Sequence, residues 1–271
     1  VRNPLYFRNP EGLPHLDEVT VRFIADPAAL AQALADGQCD MVTHESVQAI
    51  RDILTDDPAV QSISTHMSRW EMLAFGITPA EDYARPDYFE DFRVRQGIAQ
   101  CIDRQRLAQQ AMGSQAQVLH SYLPPEHPLY ATEMVTPWPY DPNAGQTLIA
   151  SAGWYDEDGD GIRESHNIPG IPEGTPFQIT YHTSDTSWRV QAAQQIQSDL
   201  AVCGIQVTVE SLPGETLLAP GPEGVLFGRR FDMAQLAWSI APAPACDMFL
   251  STQMPRPDDW LRPNIFGYID D

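Results

Sequence analysis

Between residues 187 and 209 the chain changes its hydrophobic period once, abruptly. Val190, Ala193, Ile196 and Leu200 recur at the spacing of one helix face within Ser187 to Cys203. Gly204 then stands where a left-handed C-terminal cap is wanted, and Ile205, Val207 and Val209 alternate as a half-buried strand does. A helix that passes into a strand across one glycine needs a sheet to pack on, so the pattern implies an α/β architecture.

The same grammar is present earlier. Val19, Val21 and Phe23 alternate with polar partners and predict a strand, and Asp26-Pro27 supplies an N-cap and a first helical residue. The helix that follows to Asp36 presents Leu30, Ala33 and Leu34, with Gly37 at its C-terminal cap, and Asp40 to Val42 is expected to be the next strand. From Arg93, the residues Val94, Ile98, Cys101, Ile102 and Ala108 repeat at helical spacing behind the acidic pair Glu90-Asp91. Asp141-Pro142 opens another helix, which runs to about Gly153 with Leu148, Ile149 and Ala152 inward. Phe231 to Trp238 reads as a strand bounded by Gly228 and the proline-rich loop Ala241 to Pro244.

Composition removes several functions. The formal charge is −21 and all 16 basic residues are arginine. With no lysine, neither a Schiff base nor a P-loop can be built. An acidic surface repels phosphate backbones, which argues against a nucleic-acid partner. No apolar run approaches the roughly 20 residues of a membrane span. Cys39, Cys101, Cys203 and Cys246 form no C-x-x-C pair, so no zinc site is expected. Cys101 on an apolar helix face and Cys203 at a helix end read as buried, inert thiols, with pairing open to an exported protein. There is no G-x-S-x-G elbow, no G-x-G-x-x-G and no i, i+4 histidine pair, and His120 and His127 flank a Pro-Pro turn as surface residues would.

Phe92 to Arg104, then Ser121-Tyr-Leu-Pro-Pro125, Tyr140-Asp-Pro142 and Ala152-Gly-Trp154 follow one another in an order that resembles the peptide-binding receptors of bacterial ABC importers, solute-binding protein family 5. The likeness runs from Asn3-Pro-Leu-Tyr6 to Asn264. It implies a class II periplasmic-binding-protein-like fold, a mixed sheet with flanking helices in a receptor of two lobes. It also implies that this chain is a fragment: residues 1–72 a partial first lobe, the crossing at Met72 to Gly76, and residues 73–271 the second lobe. Such receptors are not enzymes and use no cofactor. They bind a peptide or other small solute outside the cytoplasmic membrane, free in the periplasm or on the membrane's outer face, some through a lipid anchor, and deliver it to the membrane subunits of an ABC permease.

In the oligopeptide receptors a strand ending in Gly-Trp or Ala-Trp lines the mouth between lobes, which assigns Ala237 and Trp238 to the ligand site, with Gln235 and Ser239 on the same strand. An aspartate soon after that tryptophan pairs with the peptide's α-ammonium group. Here alanines stand in its place, and Asp247 is the first carboxylate reached. Either Asp247 takes that role or the solute has no free amine there. Tyr83, Tyr88, Phe89 and Phe92 are expected to pack the hinge, with a stacking platform for ligand as the alternative.

A second motif, Asp156, Asp158 and Asp160 with Gly159 and Gly161, matches the start of a calcium loop. Its twelfth position is Asn167 rather than glutamate, although Glu164 could serve at the ninth. A Gly/Asp-rich turn without metal is the simpler reading. Two other functions remain open to the residues. One is a carboxylate-dependent hydrolase held together by a calcium loop, and the other is the sensing module of a regulator.

Overall fold

The computed structural model describes residues 3, 5–43, 60, 61, 63, 69–112, 116–239 and 244–269. Contacts divide the chain into two compact units, Val1–Ile63 and Ser64–Asp271. Among the described residues no helix is long and apolar enough to cross a membrane.

In the first unit, helix α1 (Pro27–Ala35) starts as expected: the Asp26 carboxylate accepts from the Ala29 N–H at 2.8 Å. Gly37 takes φ +68°, and its N–H reaches the Leu34 carbonyl. The expected strands are corrected, because neither Val19 to Phe23 nor Asp40 to Val42 enters a ladder. Val19, Val21 and Phe23 are 67, 70 and 97% exposed. Alternation supplies a face, but a strand also needs a partner and a covering layer, which lie beyond the segment itself. Ile24 and Val42 nevertheless pack on Leu30 and Ala31.

The second unit is built on a mixed four-stranded sheet, in the order β1-β6-β4-β5. Its strands are β1 (Arg69–Phe75), β4 (Gln178–Ser184), β5 (Gln206–Leu212) and β6 (Met233–Ser239). β1 runs antiparallel to β6, while β4 is parallel to both β5 and β6. A separate hairpin joins β2 (Trp154–Tyr155) to β3 (Glu164–Ser165). β4, one of the two strands paired on both sides, carries Ile179 and Tyr181 inward just after the buried Phe177, an alternation partly hidden in sequence by Thr180, His182 and Thr183.

Because side chains alternate across a strand, the sheet has two apolar faces. Ile179, Tyr181, Val207 and Met233 share one core with helices α2 (Phe92–Cys101), α4 (Pro142–Ser151) and α5 (Ser187–Val202). Tyr88 and Phe89 belong to this core, with Tyr88 stacked on Phe177 at 5.2 Å, whereas Phe92 is 51% exposed. Ala74, Ala234 and Leu236 face the other way, against Leu217, Leu226, Phe231, Met248, Ile265 and Phe266.

The helix expected from Arg93 onward is two helices. Ile102 adopts ψ 123°, and Asp103 then begins α3 (Arg104–Met112) by accepting from the Arg106 N–H at 3.0 Å. The Asp103 N–H donates in turn to the buried Asp199 carboxylate at 3.1 Å. A capping residue tied to a neighbouring helix therefore overrides continuous helical spacing.

The expectation of free thiols is also corrected. Cys101 and Cys203 are buried as predicted, but they form a disulfide with S–S 2.02 Å across 102 residues. The bond joins the C-terminal ends of α2 and α5, and only helix packing could bring those ends together. Close by, α2 and α4 touch through Gly97 and Gly145. A Cβ on Gly145 would lie 2.7 Å from both the Cys101 sulfur and the Gly97 carbonyl oxygen.

Candidate functional site

In an open α/β sheet, ligands bind outside the carboxyl ends of the strands, where neighbouring connections leave in opposite directions. Here β4 proceeds through α5 to β5 on one side, while β6 lies on its other side. The switch point is therefore at Ser184 and Ser239, the carboxyl ends of β4 and β6. β1 runs the other way and brings its first residues to this edge, with Arg69 opposite Ser239, Trp70 opposite Trp238 and Glu71 opposite Ala237.

Trp70 and Trp238 open a small cavity of about 10 Å³, completed by Tyr122, Leu123, Ser239, Pro244, Ala245 and Met248. Trp238 is half-buried at its rim rather than enclosed. The Tyr122 hydroxyl lies 3.5 Å from the Cys246 sulfur, and its ring meets Phe249 edge-on at 5.5 Å. These contacts hold Ser121 to Pro125 against the 3-10 turn Cys246–Phe249. The bond to Cys246, followed by burial, raises the Tyr122 pKa, so the phenol stays neutral.

The opposite face of the same edge is polar. Glu71 and Arg189 form a two-pronged ion pair with Nε–Oε1 2.8 Å and NH2–Oε2 3.2 Å, and Arg189 NH1 donates to the Ser184 hydroxyl at 3.1 Å. The guanidinium also stands 4.7 Å from the Trp188 ring centre. One step inward, the Gln235 side-chain oxygen accepts from the Tyr181 hydroxyl at 2.8 Å and from Thr183 at 3.3 Å. Burial, then the Glu71 charge, raises the Tyr181 pKa well above its usual value, so it remains a donor.

Of the residues singled out from sequence, Trp238 and Ser239 line the cavity, Ala237 is half-buried beside it facing Glu71, and Gln235 is buried. Asp247 is exposed in the 3-10 turn and is absent from the cavity wall. Residues 240–243 of the intervening loop lie outside the described residues. Sequence reasoning missed Trp70, Tyr122, Met248 and the Glu71–Arg189 pair. Tyr122 sits inside a quoted motif, but nothing local says that it faces Trp238.

The acidic loop lies at the far end of α5. Arg163 beside it donates to the carbonyls of Cys203 at 2.7 Å and Trp154 at 2.8 Å, a helix length of roughly 24 Å from Arg189. Asp156 accepts from the N–H groups of Gly159 and Gly161, Asp158 from Asp160, and Asp160 from Ile162. Gly159 and Gly161 have φ of +80° and +91°. Asp156, Asp158 and Glu164 can bring oxygens within 4.8 Å of one another, a group that excludes Asp160. The carboxylates serve the backbone of their own turn, as Asx turns do.

The profile of bacterial extracellular solute-binding proteins, family 5, middle region, matches residues 1–257. The chain belongs to this family. It is 26% identical over 253 residues to the oligopeptide-binding protein AppA of Bacillus subtilis, a match covering 91% of this chain and 42% of AppA. It is 27% identical over 212 residues to di/tripeptide-binding protein 2 of Pseudomonas aeruginosa, covering 76% of this chain and 34% of that protein. In fold it is similar to Campylobacter jejuni NikZ, solved in complex with Ni(L-His), with TM-score 0.70, 19% identity, and coverage of 92% of this chain and 46% of that one. The family 5 chain thus spans less than half the length of these relatives. Its mixed sheet with flanking helices is the periplasmic-binding-protein architecture that the resemblance implied.

Proposed function

We propose that the protein carrying this chain is the solute-binding component of an ABC importer, taking up oligopeptides, dipeptides or a related small solute outside the cytoplasmic membrane. It then delivers the solute to the permease. Residues 1–72 serve as part of the first lobe and residues 73–271 as the second. Trp238 and Ser239 contact the solute, Ala237 leaves room beside them, and Gln235 stiffens the strand from within.

One observation carries this reading: Trp238 stands half-buried at the carboxyl end of β6, opposite Trp70, where an α/β sheet receives ligands. The acidic loop, on which a hydrolase would depend, lies at the other end of α5. The action is then binding and lobe closure without turnover. The test is mass spectrometry of whatever co-purifies with the longest native product containing residues 1–271, followed by incubation with that solute. The expected result is a small solute, recovered unchanged. A product peak overturns the proposal.

A further inference from the structure

The carboxyl edge of the sheet, where Trp70 and Trp238 stand, also carries a carboxylate that the protein leaves unpaired. β4 and β6 run parallel with Tyr181 level with Met233 and His182 level with Ala234. Carried forward along both strands, that register sets Thr183 beside Gln235, a pair joined at 3.3 Å, and Asp185 beside Ala237. The backbone is still in the sheet at this point, because the Asp185 N–H donates to the Leu212 carbonyl of β5 at 2.9 Å. Ala237 is in turn opposite Glu71 of β1. A row across β1, β6 and β4 therefore reads Glu71, Ala237, Asp185, a methyl group between two carboxylates.

The two carboxylates differ in what the protein gives them. Glu71 is held by Arg189 in the two-pronged pair, and Arg189 spends a further hydrogen bond on Ser184. Asp185 is exposed, and among the described residues its carboxylate has neither a hydrogen-bond donor nor an ion-pair partner. It does not cap α5, whose N-cap is Thr186. Arg69 stands on β1, two strands from β4, and is itself engaged. Asp185 is thus a carboxylate without an internal partner, one interstrand spacing of roughly 5 Å from the strand of Trp238, at the edge where an α/β sheet receives ligands.

Resting on the receptor reading above, we propose that Asp185 is a specificity-determining residue, which pairs with an ammonium or guanidinium group of a bound peptide while an apolar side chain of that peptide lies on Trp70 and Trp238. The cavity between those tryptophans has an uncharged lining, so the cation and the apolar group have separate places at one edge. In open water a pair with an exposed carboxylate contributes little. A peptide lying across the strand ends displaces that water, and the pair strengthens as the local dielectric falls. A neutral group set against Asp185 gains no such bond and an anionic one is repelled, so the edge selects for positive charge. The peptide supplies it from its N-terminus or from a basic side chain.

Calorimetric titration of the longest native product containing residues 1–271 with trileucine, N-acetyl-trileucine and N-acetyl-leucyl-leucyl-arginine tests the inference and separates the two sources. N-acetyl-trileucine, which has no cation, should bind at least about fivefold more weakly than trileucine if the N-terminus is the source, or than the arginine peptide if a side chain is. Asp185→Asn keeps the shape of an exposed residue. It should bring the preferred peptide to within about twofold of N-acetyl-trileucine and leave N-acetyl-trileucine itself unchanged. Equal affinities for the three peptides, or a preference that survives Asp185→Asn, overturn the proposal and leave the receptor reading standing. A preference abolished by Asp247→Asn instead does the same, because the exposed carboxylate on the 3-10 turn Cys246–Phe249 is then the partner. Binding of none of the three overturns the peptide reading, and this proposal with it.

Discussion

Glu71 and Arg189, 118 residues apart in sequence, meet in a two-pronged ion pair whose side chains are only 14 and 12% exposed. The pair ties the first residues of β1 to the first turn of α5, and so braces the sheet edge where Trp70 and Trp238 stand. Glu71→Gln would leave a guanidinium half-satisfied in a place with little water. The expected loss is about 3 kcal/mol of unfolding free energy, read from urea denaturation, because breaking one side of a buried pair strands the other. A change within the error of the midpoint would show that water replaces the carboxylate without penalty.

The Cys101–Cys203 disulfide closes a loop of 102 residues. Chain-entropy arguments give about 4–5 kcal/mol for a loop of that length. Reduction with dithiothreitol, or the Cys101→Ser, Cys203→Ser double variant, should lower the unfolding free energy by an amount of that order, read as a fall in the denaturation midpoint. Equal midpoints in oxidised and reduced protein would count against the bond.

Gly145→Ala should lower stability even though alanine is the better helix former by about 1 kcal/mol. Its Cβ would sit 2.7 Å from the Cys101 sulfur, and also from the Gly97 carbonyl oxygen. Forcing α2 and α4 apart costs about 1–3 kcal/mol, more than the propensity gain. Thermal melts of Gly145→Ala beside Gly214→Ala, whose added Cβ meets nothing within 4 Å, separate crowding from propensity.

His182 is buried, with Nε2 3.2 Å from a Glu210 carboxylate oxygen. Burial lowers its pKa below the usual 6.5, although the charges of Glu210 and Asp232 pull the other way. The unfolded chain therefore takes up this proton at higher pH than the folded one. Its contribution is fully present above about pH 6.5 and is lost as pH falls toward the depressed folded value. Asp232 has the opposite sign. Burial raises its pKa, so folding disfavours its charged form, and that penalty is relieved as pH falls toward the usual carboxylate range. Urea midpoints of the parent and His182→Gln, compared between about pH 7 and about pH 5, should show a decline on acidification that is smaller in the variant. A parallel decline in both would remove His182 as its source.

Much of the secondary structure was readable from short stretches. Asp26-Pro27 and Asp141-Pro142 start helices with the caps they were expected to form, since an aspartate reaches an N–H only three residues on. Gly204 ends α5 at φ +79° and releases the chain into β5, as the change of period indicated. Val19 to Phe23 failed for the converse reason, since strand formation depends on a partner elsewhere. Trp238 was singled out through family resemblance, whereas its neighbour on the cavity wall, Trp70, carries no local mark.

Caps, turns and amphipathic faces are written within a few residues, because the groups that satisfy one another are near neighbours along the backbone. The meetings of Cys101 with Cys203, Glu71 with Arg189 and Trp70 with Trp238 join positions more than a hundred residues apart. Only the packing of the sheet and its helices selects those partners, because many other pairings of the same residues would satisfy local chemistry equally well.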